Sequence, residues 1–403
     1  QNIDNMQERA FYLGNVGSDN KLYPFHCGSR RLFRRWRGTG KNYMRRLPTS
    51  FITVPMMAIF ATTVAAAEPA VTPRIESAIH VELQTDIDHN SDDPANERNN
   101  VFLKVEPELT LHLPAGFTVF GHGVVEQVKA ADPDEDRYFK DEGFFIDELY
   151  LRYESGPFIV TGGKLNPGFG RAWDAAPGIY GADAPEDYEI SERIGLTAAF
   201  NFGGGAGGDH KVTAGAFFLD TTFLSHSLGT SRGTTGRADG GVSNTEDFSS
   251  FNVMLEGGGV KALPGLEYHL AYIHQANGVD ADSNEMGVAG FAAYPFNLGS
   301  GVQVTPMVEL VRFENLGGVR GIDRDYNTVA LSGEWRGWNA ALSHTRRDTD
   351  SVGGGATRDR FYSLGLGYTF DFGLTADVGW KRARESGLET DTFGTLFTYT
   401  IKF

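Results

Sequence analysis

Phe393-Gly394-Thr395-Leu396-Phe397-Thr398-Tyr399-Thr400-Ile401-Lys402-Phe403 ends the chain, and its character changes at every second residue. Phe393, Thr395, Phe397, Tyr399, Ile401 and Phe403 share one face of an extended strand; Leu396, Thr398, Thr400 and Lys402 share the other. A face this aromatic belongs in a core or against lipid. Strands that cross a bilayer carry aromatics at the interfaces and aliphatics between them, and this segment fits that order.

The same period of two runs through the body of the chain. Ile75, Ser77, Ile79, Val81 and Leu83 alternate with Arg74, Glu76, His80, Glu82 and Gln84. Val101, Leu103, Val105, Leu109 and Leu111 alternate with Lys104, Glu106, Glu108, Thr110 and His112, and Leu374, Ala376, Val378 and Trp380 with Thr375, Asp377 and Lys381. No stretch after Ala67 holds a 3.6-residue apolar stripe, so the chain reads as all-β. Segments between turn signals number about 16, joined by alternately short and long connections. The short ones are punctuated by Gly and Pro: Leu113-Pro114-Ala115-Gly116, Glu154-Ser155-Gly156-Pro157, Leu263-Pro264-Gly265, Arg336-Gly337-Trp338 and Asp371-Phe372-Gly373. The long ones, near 87–99, 129–142, 167–189, 221–247 and 348–357, are rich in Asp, Asn, Gly, Ser and Thr, as solvated loops are.

A soluble β-sandwich would alternate in the same way. The N-terminal region argues against it. Met44-Arg45-Arg46 opens a short positive region, an apolar run follows from Phe51 to Ala61, and Ala65-Ala66-Ala67 is a small-residue cleavage site. That is a secretory signal over 44–67, too short to serve as a membrane-spanning helix. Cleavage after Ala67 frees Glu68, leaving a barrel domain over 68–403. Residues 1–43, with Arg30, Arg31, Arg34, Arg35 and Arg37 among aromatics, read as an upstream extension outside the mature protein. A nucleic-acid-binding module ahead of an export signal makes little physical sense.

Removing 1–67 leaves 26 Lys and Arg against 49 Asp and Glu, a charge of −23. Such acidity opposes binding to phosphate backbones, so no nucleic-acid partner is expected. The only cysteine, Cys27, goes as well. Neither a disulfide nor a thiolate metal site is then available, and no cofactor is expected.

Other chemistry finds little support. Asp132, Asp134, Glu135 and Asp136 lack the glycine and closing glutamate of an EF-hand loop, although divalent cations could bridge them to lipopolysaccharide. The run Gly203–Gly208 is not followed by Lys and Ser or Thr, so it is a turn and no phosphate loop. Ser343-His344 and His226-Ser227 are adjacent pairs, which a strand points to opposite faces, and no G-x-S-x-G elbow occurs. No catalytic residues are assigned.

Phe403, preceded at alternate positions by Ile401, Tyr399 and Phe397 with Gly394 upstream, resembles the assembly signal of Gram-negative outer-membrane barrels. The broader pattern is similar to that of the porins. Gly163-Lys164-Leu165-Asn166-Pro167-Gly168-Phe169-Gly170 resembles a Gly-Lys/Gln-x-x-Pro-Phe-Gly segment of several porin families, the phosphate-selective and siderophore-type among them, with Gly168 inserted. The resemblance implies a transmembrane antiparallel up-and-down β-barrel of about 16 strands in the outer membrane. It also implies reading by the barrel-assembly machinery, contact with outer-membrane lipid and lipopolysaccharide, a homotrimer as one state, and passage of small hydrophilic solutes or ions.

In such a barrel the polar faces line the bore: Arg74, Glu76, Glu82, Lys104, Glu106, Glu108, Glu148, Arg152, Glu334, Asp377 and Lys381. The loop after the fifth expected strand holds Arg171, Asp174, Asp183, Glu186, Asp187 and Glu189, and by the resemblance it occupies the place of the inward constriction loop. Its carboxylates favour cations; the alternative is ordinary solvated loop charge. A barrel valued for its surface loops, as an adhesin or receptor, or a barrel enzyme, is the other function class. N-terminal sequencing of the mature protein is expected to start at Glu68; a start before Met44 contradicts the export signal.

Overall fold

The computed structural model describes residues 72–403. The expected signal segment, Met44 to Ala67, and the upstream stretch 1–43 lie outside the described residues. Sixteen long strands follow one another: β1 Arg74–His89, β2 Arg98–His112, β3 Phe117–Gln127, β4 Glu142–Ser155, β5 Phe158–Leu165 and β6 Arg193–Gly203. Then come β7 Asp209–Leu219, β8 Ser250–Gly258, β9 Glu267–Gln275, β10 Glu285–Ala293 and β11 Gln303–Glu314. The last are β12 Ile322–Trp335, β13 Trp338–Ser351, β14 Gly355–Thr369, β15 Thr375–Glu385 and β16 Leu388–Lys402. Each pairs antiparallel with the next, and β1 pairs on its free side with β16, from Ala78 opposite Lys402 to His89 opposite Asp391. The sheet therefore closes on itself, as the alternation predicts, and every strand has two neighbours.

The outer surface follows the same pleat. Outward positions on β14 read Tyr368, Leu366, Leu364, Tyr362, then Arg360 and Arg358. At about 3.3 Å per residue the apolar stretch from Tyr368 to Tyr362 is roughly 20 Å long, the scale of a bilayer's apolar band. Aromatic pairs bound it on both sides: Trp338 stands edge-on to Tyr368 at 5.0 Å, and His344 stacks on Tyr362 at 4.4 Å. Among the described residues no helix is long and apolar enough to cross a membrane; the strands provide the apolar surface.

Two features depart from the sequence reading. Residues near 348–357 were expected to form a long loop, but β13 runs to Ser351 and β14 starts at Gly355. Asp348, Asp350, Ser351 and the glycines 353–355 made that stretch look like a loop; Asp348 to Ser351 are strand residues, paired with Arg346 and Arg358 beside them, that carry the sheet past the apolar band, where both faces tolerate charge. The inner wall is also divided by character. On β8–β12 it is mainly apolar, with Met254, Ala271, Ile273, Ala289, Phe291, Met307, Val311, Phe313 and Ala330 buried inside beside a few polar groups such as His269 and Glu309. On the opposite arc it is polar, with Glu82, Gln84, Lys104, Glu106, His122, Glu126 and Glu148. A loop folded into the barrel covers the apolar arc.

A β-bulge sharpens the polar arc. His122 stands opposite Glu148, but Gly123 stands opposite Ile146, so Asp147 is the extra residue. The slip turns two consecutive carboxylates, Asp147 and Glu148, to the same inner face, which an unbroken pleat cannot do.

Candidate functional site

The segment Gly163–Gly170, singled out in the sequence, is the root of the inward loop. Gly163 has φ +141, and a Cβ there would fall 2.4 Å from the Leu149 carbonyl oxygen. Lys164 is wholly buried, with its Nζ 2.8 Å from Glu192, 2.9 Å from Asp220 and 2.9 Å from the Ser225 hydroxyl. Burial opposes the charge on Asp220, yet Lys164 and Thr222 hold its carboxyl below the ordinary range. Arg232 donates to both Glu192 oxygens, at 2.7 and 2.6 Å, and stacks over Phe145. Asn166 ties the loop ends together. Its Nδ2 donates to Asp147 at 3.0 Å, its backbone N–H to Glu148 at 3.2 Å, and its Oδ1 accepts the Glu192 N–H at 2.7 Å. His122 Nδ1 lies 3.0 Å from the same Asp147.

From this root the chain runs along the inner wall. Phe169 enters the apolar cluster with Ile273, Met254 and Phe313, and its carbonyl accepts from His269 Nε2 at 2.6 Å. Glu309, buried on β11, then accepts the backbone N–H groups of Arg171 at 2.6 Å and Ala172 at 2.8 Å, and the Tyr188 hydroxyl. One carboxylate thus holds both the outgoing and the returning arm of the loop. The single-turn helix α1, Ala172–Ala175, starts at this contact. Ala172 and Ala176 pack on Phe291, Ala293, Met307 and Ala330. Burial first, and the Glu309 carboxylate second, push the Tyr188 phenol well above its ordinary range, so it stays a donor.

The far end of the loop, Gly178-Ile179-Tyr180, rests on a row of small residues. Ala341, Gly365, Gly379 and Gly394 face one another across β13 to β16. A Cβ on Gly379 would meet Ile179 Cδ1 at 3.2 Å, and one on Gly394 would lie 1.9 Å from the Tyr180 hydroxyl. Glycine at these positions lets the loop backbone reach the wall. Tyr180 donates to Asp86 at 2.7 Å, which pins the tip to β1. On the way back Asp183 pairs with Lys381 at 2.8 Å, and Asp187 with Arg347 at 2.6 Å and the Tyr326 hydroxyl at 3.0 Å.

The residues named from sequence are therefore distributed unevenly. Asp183, Asp187 and Lys381 are brought together as loop-to-wall pairs. Arg171 reaches Glu256 at 3.4 Å, while Asp174 lies in α1, Glu186 in the turn Pro185–Tyr188 and Glu189 just after it. Lys104 and Glu106 pair at 3.0 Å on the polar arc, with Glu148 across the bulge; Glu108 faces His80 at 3.6 Å. Arg152 lies 3.6 Å from Glu154, and Asp377 is buried on β15. Arg74 pairs with Glu76 at 2.6 Å on the exposed rim, away from the loop. Phe397, Tyr399, Ile401 and Phe403 all stand exposed on the outer face of the last strand segment.

Glu309, Arg347, Tyr326 and the glycine row were missed in the sequence reading. Glu309 left one signal, a lone carboxylate within the otherwise apolar inward set Met307, Val311 and Phe313.

A closed sixteen-strand barrel with an inward loop between its fifth and sixth strands is a porin-type β-barrel fold. Solved structures with this fold include the outer membrane channel DcaP of Acinetobacter baumannii, at TM-score 0.52 and 11% identity, covering 82% of this chain and 97% of that one. OprB of Pseudomonas putida matches at TM-score 0.55 and 10% identity, over 82% and 94% of the two chains. A loop-deletion mutant of OmpT from Vibrio cholerae matches at TM-score 0.52 and 8% identity, over 82% and 99%. No protein-family model matches the sequence, and no curated protein matches it.

Two substitutions probe the loop's attachment. Glu309→Ala removes the acceptor shared by the Arg171 and Ala172 N–H groups and the Tyr188 hydroxyl, at about 1–3 kcal/mol for each buried donor left unpaired. Limited trypsin digestion is then expected to cut at Arg171 or Arg193 in a barrel that still migrates as folded; undiminished resistance counts against the anchor. Gly394→Ala drives a methyl group into the Tyr180 hydroxyl and breaks the contact with Asp86. Cleavage of the loop by trypsin is expected to quicken at unchanged folding, while digestion identical to wild type contradicts the seat.

Proposed function

We propose that this chain is an outer-membrane passive diffusion channel for small hydrophilic solutes or ions, with 166–192 as its constriction. The observation that carries the reading is the attachment of that loop: fixed at its root by Asn166 and Lys164, at its waist by Glu309 and at its tip by Tyr180. A loop held so firmly against the apolar arc narrows the lumen to a fixed shape and leaves the polar arc of β1–β4 opposite it. The outer apolar band and its aromatic borders suit lipid, and the sixteen-strand girth suits a lumen too wide for wall side chains to fill.

The carboxylates of the loop supply a mild preference for cations in this reading. Asp183 and Asp187 act mainly as anchors, because each already meets a wall cation. Ser343 and His344 offer an enzyme reading nothing: Ser343 bonds to Ser363 inside the barrel, while His344 stacks on Tyr362 outside it. Planar-bilayer recording tests the proposal. Discrete conductance steps with reversal potentials shifted toward cations are expected. Asp183→Asn with Asp187→Asn is expected to add flicker, and Glu186→Gln to weaken the cation preference. A folded barrel that gives no steps overturns the channel.

A further inference from the structure

The outer face of β13–β16 and β1 is ordered in rows across the strands. Leu342, Leu364, Trp380, Phe393 and Ile87 stand in one row, and Leu366, Val378, Thr395 and Thr85 in the next outward row toward the short turns. Between them lies a groove of about 440 Å³ whose floor is Gly365, Gly379 and Gly394. The glycines that seat the loop on the inside thus lie directly beneath this groove. Leu364, Leu366, Val378, Phe393 and Ile87 leave this groove an exposed apolar surface.

Toward the long-loop end the rows change character. The next outward row is His344, Tyr362, Arg382, Asp391 and His89, and the one after it is Arg346, Arg360, Arg384 and Glu389. Three arginines therefore face one another on three adjacent strands. Like charges directly opposite across a sheet repel. Arg346 leans on Asp348 at 2.7 Å, but among the described residues no carboxylate lies within ion-pair distance of Arg360 or Arg384. These guanidinium groups sit one row past Tyr362, at the border of the apolar band, where acyl chains give way to headgroups. Guanidinium forks match phosphate oxygens in pairs, and an interface strengthens that attraction relative to open water.

We propose that Arg346, Arg360 and Arg384 bind the phosphate of an acylated glycolipid of the outer leaflet, one of whose chains lies in the glycine-floored groove. The Arg row is four residues along the strand from the row of Leu364 and Trp380, about 13 Å, a span that one extended fatty-acyl chain bridges. Charge and shape point to the same ligand. The phosphate neutralises a row that the sheet leaves unbalanced, and the chain fills a concavity that bulk lipid tails would bridge. The inference rests on the membrane placement proposed above.

Native mass spectrometry of the folded barrel, titrated with lipid A carrying its phosphates, lipid A stripped of them, and inorganic phosphate, tests it. The phosphorylated lipid is expected to bind about tenfold more tightly than the stripped one. Arg360→Gln with Arg384→Gln is expected to erase that difference, Arg360→Lys with Arg384→Lys to keep most of it, and Trp380→Ala to weaken both lipids. Arg336→Gln, at the opposite rim, should change nothing. Equal binding of the two lipids, inorganic phosphate held as tightly as the lipid, or an unaffected double Gln variant would each overturn the site. Bilayer conductance and heat-modifiable migration are measured on the same samples, so a conducting barrel without lipid preference removes this site alone, whereas a folded barrel that does not conduct removes the channel.

Discussion

Pairing of β1 with both β2 and β16 is the constraint from which the remaining features descend. A backbone in hydrocarbon has no water to satisfy its N–H and C=O groups, so a sheet that crosses a bilayer has to close. Closure then makes the pleat absolute. Outside the bulge at Asp147 each strand residue faces outward or toward the lumen, and a slip by one position would exchange them all. Leu364, Val378 and Phe393 accordingly face outward beside Gly365, Gly379 and Gly394, which face inward.

The interior is where this chain uses its freedom. The inner wall of β8–β12 carries an apolar patch, and that would be costly in a water-filled tube. The inward loop covers it, so Phe169, Tyr188 and Ile190 are buried together with Ile273, Val311 and Phe313. Burial of this kind is what makes the loop a fixed part of the wall, and the polar contacts of Glu309, Asp183 and Asp187 set its register within that cover. Lys164 illustrates the opposite arrangement: a fully buried cation that is tolerated because Glu192, Asp220 and Ser225 surround it.

The fold was legible because period-two alternation survives in almost every strand and because turns announce themselves through glycine and proline. Leu113 to Gly116 and Asp371 to Gly373 fell where strands reverse. The inside was harder to read. Met254, Ile273 and Phe313 alternate as lipid-facing residues do, and a period of two cannot say which apolar face meets the lumen. The bulge at Asp147 leaves no mark on the sequence, so the joint inward turn of Asp147 and Glu148 was hidden. Carboxylates of the loop and the wall cation Lys381 were visible, but not that Asp183 pairs with it; Arg347, the partner of Asp187, was missed, and both partners come from strands more than a hundred residues away. The stretch around Asp348 misled for a related reason, since charge on a strand beyond the apolar band looks like charge in a loop.

The central claim, that the loop lies inside the barrel along its far wall, is tested most directly by a cross-link. The only cysteine of the chain is Cys27, ahead of the described residues. Asp183→Cys and Lys381→Cys replace an ion pair whose atoms lie 2.8 Å apart. In the folded barrel a short thiol-specific reagent is predicted to join them within most chains. The account is contradicted if the barrel remains folded while both cysteines are modified singly by a bulky reagent and no internal cross-link forms.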